Sequence, residues 1–183
     1  MGTLMFAPAA LRACARSCLR GFAAVMAVVA FFSRLAMAQA GALASADATF
    51  LQRAAEANAA EVKISQAAQT RATESVVKAF ADHMVEDHSA SNRELDTLAR
   101  KKDVALRSEP DAAHLIKIGS LQKLETGEFD RAYARLMVED HAAGARLFEQ
   151  AARDAVDVDV RKFAQAALDM WRAHAVLAQA LPQ

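Results

Sequence analysis

The sequence predicts an all-α protein, a bundle of four long helices with a short extra helix in the crossover between the second and the third. Three observations carry this prediction. Apolar residues recur at steps of three and four over most of the chain, no stretch alternates with the two-residue period of a strand, and alanine, the best helix former, is abundant throughout.

The first forty of the 183 residues stand apart from this pattern. Arg12, Arg16 and Arg20 precede an apolar run from Gly21 to Phe32, and Ala36-Met37-Ala38 follows. A basic head, a short greasy segment and a small-x-small cut site describe a secretory signal peptide over 1–38, with cleavage after Ala38 or, as second choice, Ala40. The run is shorter than the roughly 20 residues a spanning helix needs, and Arg34 interrupts it, so the mature chain is expected to hold no membrane span. Residues 39–46 read as a flexible lead-in and 47–183 as the bundle.

Within the bundle, Asp47 is placed to cap helix one, where Phe50, Ala54, Ala57, Glu61, Ile64 and Ala68 hold one face to about Thr70. Thr73 can cap helix two, with Val77, Phe80, Met84, Asp87/His88, Ser91, Leu95 and Leu98 inward and Arg100, Lys101 and Lys102 at the end, where the helix dipole favours cations. Asp103 to Ser108 breaks the pattern. Pro110 opens a short helix to about Glu125, carrying Leu115, Ile118, Leu121 and Leu124. The third long helix starts at Thr126-Gly127 and turns Phe129, Tyr133, Met137, Asp140/His141, Gly144, Phe148 and Ala152 one way. Asp157 to Asp159 caps the last helix, whose expected inner face is Val160, Phe163, Ala167, Met170, His174, Leu177 and Leu181. The long middle connection can return the chain to its starting end and make the second and third long helices parallel, as in ferritin-like bundles with one crossover.

The loudest chemical signal is a string that occurs twice, MVEDH at Met84 to His88 and at Met137 to His141, inside a wider repeat at an offset of 53 that also aligns Phe80 with Tyr133 and Leu95 with Phe148. Helical spacing turns both strings toward a core that should be apolar. Glu61, His88, His141 and His174 all fall near mid-helix, so they meet at one depth whichever way each helix runs, and helices 8–10 Å apart bring such heads within reach of one ion. Met84/His88, Met137/His141 and Met170/His174 each place a thioether one turn from an imidazole. Imidazole with thioether suits copper, above all Cu(I), whereas imidazole with carboxylate suits iron, manganese or zinc. Asp87 and Asp140 turn about 100° away from His88 and His141, so one member of each pair orients its neighbour.

Each of these residues has a plainer reading. A core methionine is usually filler, a lone inward histidine is more often a hydrogen-bonded core residue than a ligand, and Glu61 can pair with a cation while Asn58 bridges helices. Gathered at one level, however, buried carboxylates cost several kcal/mol each unless paired or bound to a cation. A closed Asp/His/Glu hydrogen-bond network is the rival to a metal site. His83 lies on the flank of the seam as a surface residue or a peripheral ligand, His114 is expected to face solvent, and Trp171 and Tyr133 read as core aromatics.

Composition narrows the function further. Both cysteines, Cys14 and Cys18, lie in the leader, so the mature chain has no thiol chemistry. With the leader gone, 18 basic residues face 22 acidic ones, a formal charge of −4, and no basic patch interleaved with aromatics argues for nucleic acid. No phosphate loop, dinucleotide fingerprint or nucleophile constellation is present.

The opening DATFLQRAAEANAAEVKISQAA, then VVKAFADHMVEDHSASNREL, FDRAYARLMVEDH and the closing WRAH helix together resemble the secreted bacterial proteins grouped as domain of unknown function 4142, which are ferritin-like. The resemblance spans nearly the whole mature chain. It implies the four-helix fold and export and brings no established activity. The di-iron site of ferritin-like enzymes needs Glu-x-x-His, but Val85, Val138 and Trp171 stand three residues before His88, His141 and His174, which puts oxygen-activating di-iron chemistry in doubt and leaves open whether the chain is an enzyme. The expectation is therefore an exported, periplasmic or secreted bundle. It binds a transition metal (copper, zinc, iron or manganese) through Glu61, Asp87, His88, Asp140, His141, His174, Met84, Met137 and Met170, for storage, buffering or envelope stress defence. The alternative is a non-catalytic stress or interaction protein whose polar centre is structural.

Overall fold

A computed structural model of the protein describes residues 43–182, so the expected leader and the first half of the lead-in lie outside the described residues. Those residues form five helices and no strand: α1 (Ser45–Arg71), α2 (Ser75–Lys101), α3 (Ala112–Gln122), α4 (Thr126–Asp154) and α5 (Val158–Gln179). None is long and apolar enough to cross a membrane.

The four long helices close into a ring in which α1 packs on α2 and α4, while α5 packs on α4 and α2. Their directions follow from which residues meet. Asn58 touches Ser91, and Gln69 touches Asp82, so α1 and α2 are antiparallel. Ser65 meets Tyr133, and Asp47 reaches the backbone after α4, so α1 and α4 are antiparallel too. Hence α2 and α4 run the same way, and the stretch between them must travel back along the bundle. It does so beside α1: Gln52 bonds Arg107 at one end, and Arg71 donates to the carbonyls of Leu121, Gln122 and Leu124 at the other. Arg71 thereby satisfies the C-terminal carbonyls of α3 while its guanidinium lies 4.6 Å over the Phe129 ring.

The helix ends show where local rules give way to tertiary ones. Asp157 caps α5 as expected, accepting from Asp159 N and Val160 N. Asp111 caps α3 by accepting from His114 N, with Pro110 just ahead of the cap rather than inside the first turn. Asp47 does not cap its own helix. It is buried in the first turn of α1 and accepts from Val156 N and Asp157 N, which ties the loop between α4 and α5 to α1. Thr73 likewise is no cap. Asp130, a buried residue of α4, accepts from Thr73 N, Thr73 Oγ1 and Glu74 N and so satisfies donors at the start of α2 from 56 and 57 residues away. Asp103 ends the run of α2 in the left-handed region at φ 56°, which aspartate tolerates better than most residues.

The core is two apolar layers with a polar band between them. One layer holds Ile64, Phe80, Met84, Phe129, Tyr133 and Met137, and the other Phe50, Leu51, Leu95, Phe148, Val160 and Trp171. Asn58, Glu61, His88, Ser91, Asp140, His141 and His174 are buried at the level between. The inner face of α5 differs in part from expectation: Trp171 is buried as read, but Ala178 is buried as well, Met170 is only half-buried, and Leu177 is 45% exposed. Gly144 explains the rotation. A Cβ built there would lie 2.2 Å from Trp171 Cε3, so the missing side chain is the slot into which the indole fits.

Candidate metal centre

His88 on α2, His141 on α4 and His174 on α5 converge in the polar band, each at most 2% exposed. The repeat accounts for the first two, because in both copies an aromatic, a methionine and a histidine follow at steps of four (Phe80, Met84, His88; Tyr133, Met137, His141) and share one inward stripe. Neighbouring rings stand edge to face, with centroids 5.5 Å apart for His88 and His141, 5.2 Å for His88 and His174, and 5.4 Å for His141 and His174. One ring nitrogen from each lies within 4.8 Å of the others.

The second nitrogen of each ring is held by a different partner, and those partners assign the tautomers. With the Asn58 amide oriented so that Nδ2 donates to Ser91 Oγ at 3.0 Å, Asn58 Oδ1 faces the ring and His88 Nδ1 donates to it at 2.9 Å. His141 Nδ1 donates to the Met137 carbonyl at 2.8 Å. His174 Nε2 donates to Asp87 Oδ2 at 3.0 Å. The free lone pairs are then His88 Nε2, His141 Nε2 and His174 Nδ1. The first two face each other at 3.4 Å, and the third is buried with no hydrogen-bond partner. That nitrogen separation is long for a hydrogen bond, but two imidazoles on one tetrahedral ion, each about 2.0–2.1 Å from it, stand about 3.3–3.4 Å apart.

Electrostatics keeps the trio neutral. Burial pushes the His88 imidazolium well below its ordinary pKa of 6.5, and the neighbouring histidines push the same way. Burial lowers His141 to about 3, against the opposing pull of the Met137 carbonyl. His174 is also lowered by burial, with Asp87 partly offsetting it. Neutral imidazole is the form that ligates a metal, so little proton displacement is needed on binding.

The other expected ligands are placed differently. Asp87 stands outside the three rings, where it accepts from His174 Nε2 and orients that imidazole. Asp140 does not orient an imidazole; it is ion-paired with Lys117 of α3. Glu61 lies fully buried near Asp140 and Lys117, and burial, then the Asp140 charge, raise its pKa well above 4.5. Both carboxylates border a cavity of about 210 Å³, together with Lys117, Gly144 and Trp171. Glu61 Oε2, Asp140 Oδ2 and Trp171 Nε1 are buried there without hydrogen-bond partners. Thus Glu61 and Asp140 form a second polar group beside the histidines instead of completing one site with them. Met84 and Met137 are fully buried in the adjoining apolar layer, whereas Met170 packs half-buried in the other layer. His114 is half-buried and bonded to Asp111 rather than turned to solvent. Asn58 proves central: its step of three before Glu61 was the signal, and its role as the partner of His88 was not legible from spacing. Trp171, read as core, lies 4.7 Å from the His88 ring and 5.0 Å from the His141 ring.

Solved structures with this fold support the helical architecture. A fragment of a domain-of-unknown-function 305 protein from Deinococcus radiodurans superposes with a TM-score of 0.68 at 14% identity, covering 76% of this chain and 96% of that one. A protein from Bacillus halodurans C-125 described as a candidate spore coat protein gives 0.63 at 16% identity, covering 78% and 89%. CopM, solved in a Cu(II)-bound form, gives 0.63 at 14% identity, covering 73% and 93%. At such identities the likeness shows the fold alone. No curated protein matches the sequence. The model of the family described as domain of unknown function DUF4142 matches residues 32–181, and with that match over most of its length the chain belongs to the DUF4142 family.

Proposed function

We propose that this chain is an exported, ferritin-like bundle that holds one transition-metal ion between His88, His141 and His174 and serves metal storage, buffering or stress defence in the periplasm or outside the cell. The observation that carries the reading is the pair of facing Nε2 atoms 3.4 Å apart, with the Nδ1 hydrogen of each ring already committed to Asn58 and Met137. Two lone pairs aimed at each other repel unless a cation lies between them. Copper and zinc suit three imidazoles, and copper(II) binds nitrogen donors more tightly than zinc does. The Cu(II)-bound form of the similarly folded CopM favours copper as the first ion to try. Export rests on the basic head, apolar run and Ala36-Met37-Ala38 of the leader.

Elemental analysis of protein purified without chelators, followed by titration with copper, zinc, iron and manganese, tests the proposal. One ion per chain, lost in His141→Ala, is the expected result; a metal-free protein that takes up none of the four defeats it. One observation favours a second reading. If the Asn58 amide is turned over, His88 Nε2 can donate to His141 Nε2 along the same 3.4 Å line, closing a purely structural network. Leucine at both 88 and 141 then keeps or raises stability in a protein that never bound metal.

A further inference from the structure

Beside the buried trio a second set of donors reaches the surface. His83 Nε2 lies 3.4 Å from Asp87 Oδ2, the same oxygen that is 3.0 Å from His174 Nε2. The rings of His83 and His174 stand 5.2 Å apart, edge to face, and one donor atom from each of the three residues lies within 4.8 Å of the others. His83 and Asp87 are one turn apart on α2, so they act as a pair on one helix face. Exposure grades along the set: the side chain of His83 is 48% exposed, that of Asp87 32% and that of His174 2%. The two sets have His174 in common. Its Nε2 is the nitrogen on Asp87, its Nδ1 is buried without a hydrogen-bond partner, and one nitrogen of the ring lies within 4.8 Å of a ring nitrogen of each inner histidine.

We propose that His83, Asp87 and His174 form an outer capture site for a divalent transition-metal ion, and that the ion passes from the Nε2 side of the His174 ring to the Nδ1 side to reach His88 and His141. The inference rests on the reading of the inner trio as a metal site. An ion arriving from water is best met by a half-exposed carboxylate with two imidazoles, where it can keep part of its hydration shell. A neutral imidazole carries one proton. With the ion on Nε2 that proton sits on Nδ1; with the ion on Nδ1 it sits on Nε2. Moving inward therefore removes the Nδ1 proton to water and returns one proton from water to Nε2, so the ring's charge and proton count are unchanged. The returned proton is the one Asp87 accepts, so the carboxylate that helps capture the ion then orients the ring that keeps it. A neutral ring ligates on one side at a time, which makes the two sites successive stations for one ion.

The only tryptophan of the chain reports on the inner station, since the Trp171 ring is 4.7 Å from His88 and 5.0 Å from His141 and Cu(II) bound there quenches its fluorescence. Stopped-flow mixing of full-length mature protein with Cu(II), and of the loaded protein with a chelator, is compared between wild type and His83→Ala. His83 is exposed, so the variant keeps the fold. A relay residue governs passage in both directions: loading and release each slow about tenfold, and the dissociation constant from equilibrium dialysis stays the same. Unchanged rates overturn the relay. So does faster release with weaker affinity, which makes His83 an ordinary ligand of the resting site. If the wild type binds no Cu(II) in dialysis, the reading of the inner trio itself fails, a result distinct from a wild type that binds with rates indifferent to His83.

Discussion

His88 Nε2 and His141 Nε2 face each other across the bundle at 3.4 Å, from matching places in two copies of one five-residue string 53 residues apart. Repetition supplies the symmetry, but the two rings are held differently. A side-chain amide on α1 fixes His88, and the backbone of its own helix fixes His141. The pair therefore depends on a third helix for one imidazole and on local geometry for the other.

Asn58 is the most informative position for that dependence. Asn58→Leu removes the acceptor that holds the His88 tautomer and leaves both imidazoles in place. Metal affinity measured by calorimetric titration should fall about 10–100-fold, the usual cost of losing a hydrogen-bond partner behind a ligand. Helicity by circular dichroism should be unchanged.

Acid should destabilise the metal-free protein through the same histidines. In the unfolded chain they take up protons near pH 6.5, while in the folded chain burial holds His141 to about 3 and His88 well below 6.5. Between those limits the unfolded state binds more protons, so stability is full above about 6.5 and is lost as pH falls toward 3. Glu61 acts in the opposite sense. Its raised pKa makes the folded state the better proton binder above 4.5, so its burial costs stability as pH rises. Urea denaturation across pH should show the histidine limb flattened in a His88→Leu/His141→Leu variant and stability at neutral pH raised in Glu61→Gln.

Gly144→Ala should damage packing and the site together. The added methyl would lie 2.2 Å from Trp171 Cε3 and 2.3 Å from Cζ3, so the indole must leave the slot that sets it against His88 and His141. A loss of about 1–3 kcal/mol, typical of an overpacked core, should appear in chemical denaturation, with a shift of the Trp171 emission maximum.

Asp130→Ala should loosen the start of α2. Three donors, Thr73 N, Thr73 Oγ1 and Glu74 N, lose their acceptor at once. Hydrogen bonds to a charged group contribute about 1.5–3 kcal/mol, so thermal unfolding should register a loss of about 2–3 kcal/mol, and hydrogen exchange should speed first in the turn between α1 and α2.

Much of this protein follows from helical periodicity. The existence and order of the helices, the Asp157 cap and the inward turn of His88, His141 and His174 were all legible, because a period of 3.6 residues fixes which side chains share a face whatever surrounds the helix. The common depth of the polar residues was legible too, since a residue's height along a helix is its place in the sequence multiplied by a constant rise.

Angle around the bundle axis is another matter, because it depends on which helix lies beside which and on how far each rolls to fit its neighbours. Glu61 and Asp140 share the level of the histidines, yet they gather with Lys117 on one side of them. The roll of α5 follows from a glycine on α4, whose slot takes Trp171, so Met170 is only half-buried and Leu177 is exposed where both were expected inside. Asp47 and Asp130 satisfy backbone donors brought near only by the packed chain. What the sequence determined by itself was height and facing, properties of one helix alone. The tertiary structure decided azimuth and partnership, because those come from fitting surfaces of several helices together.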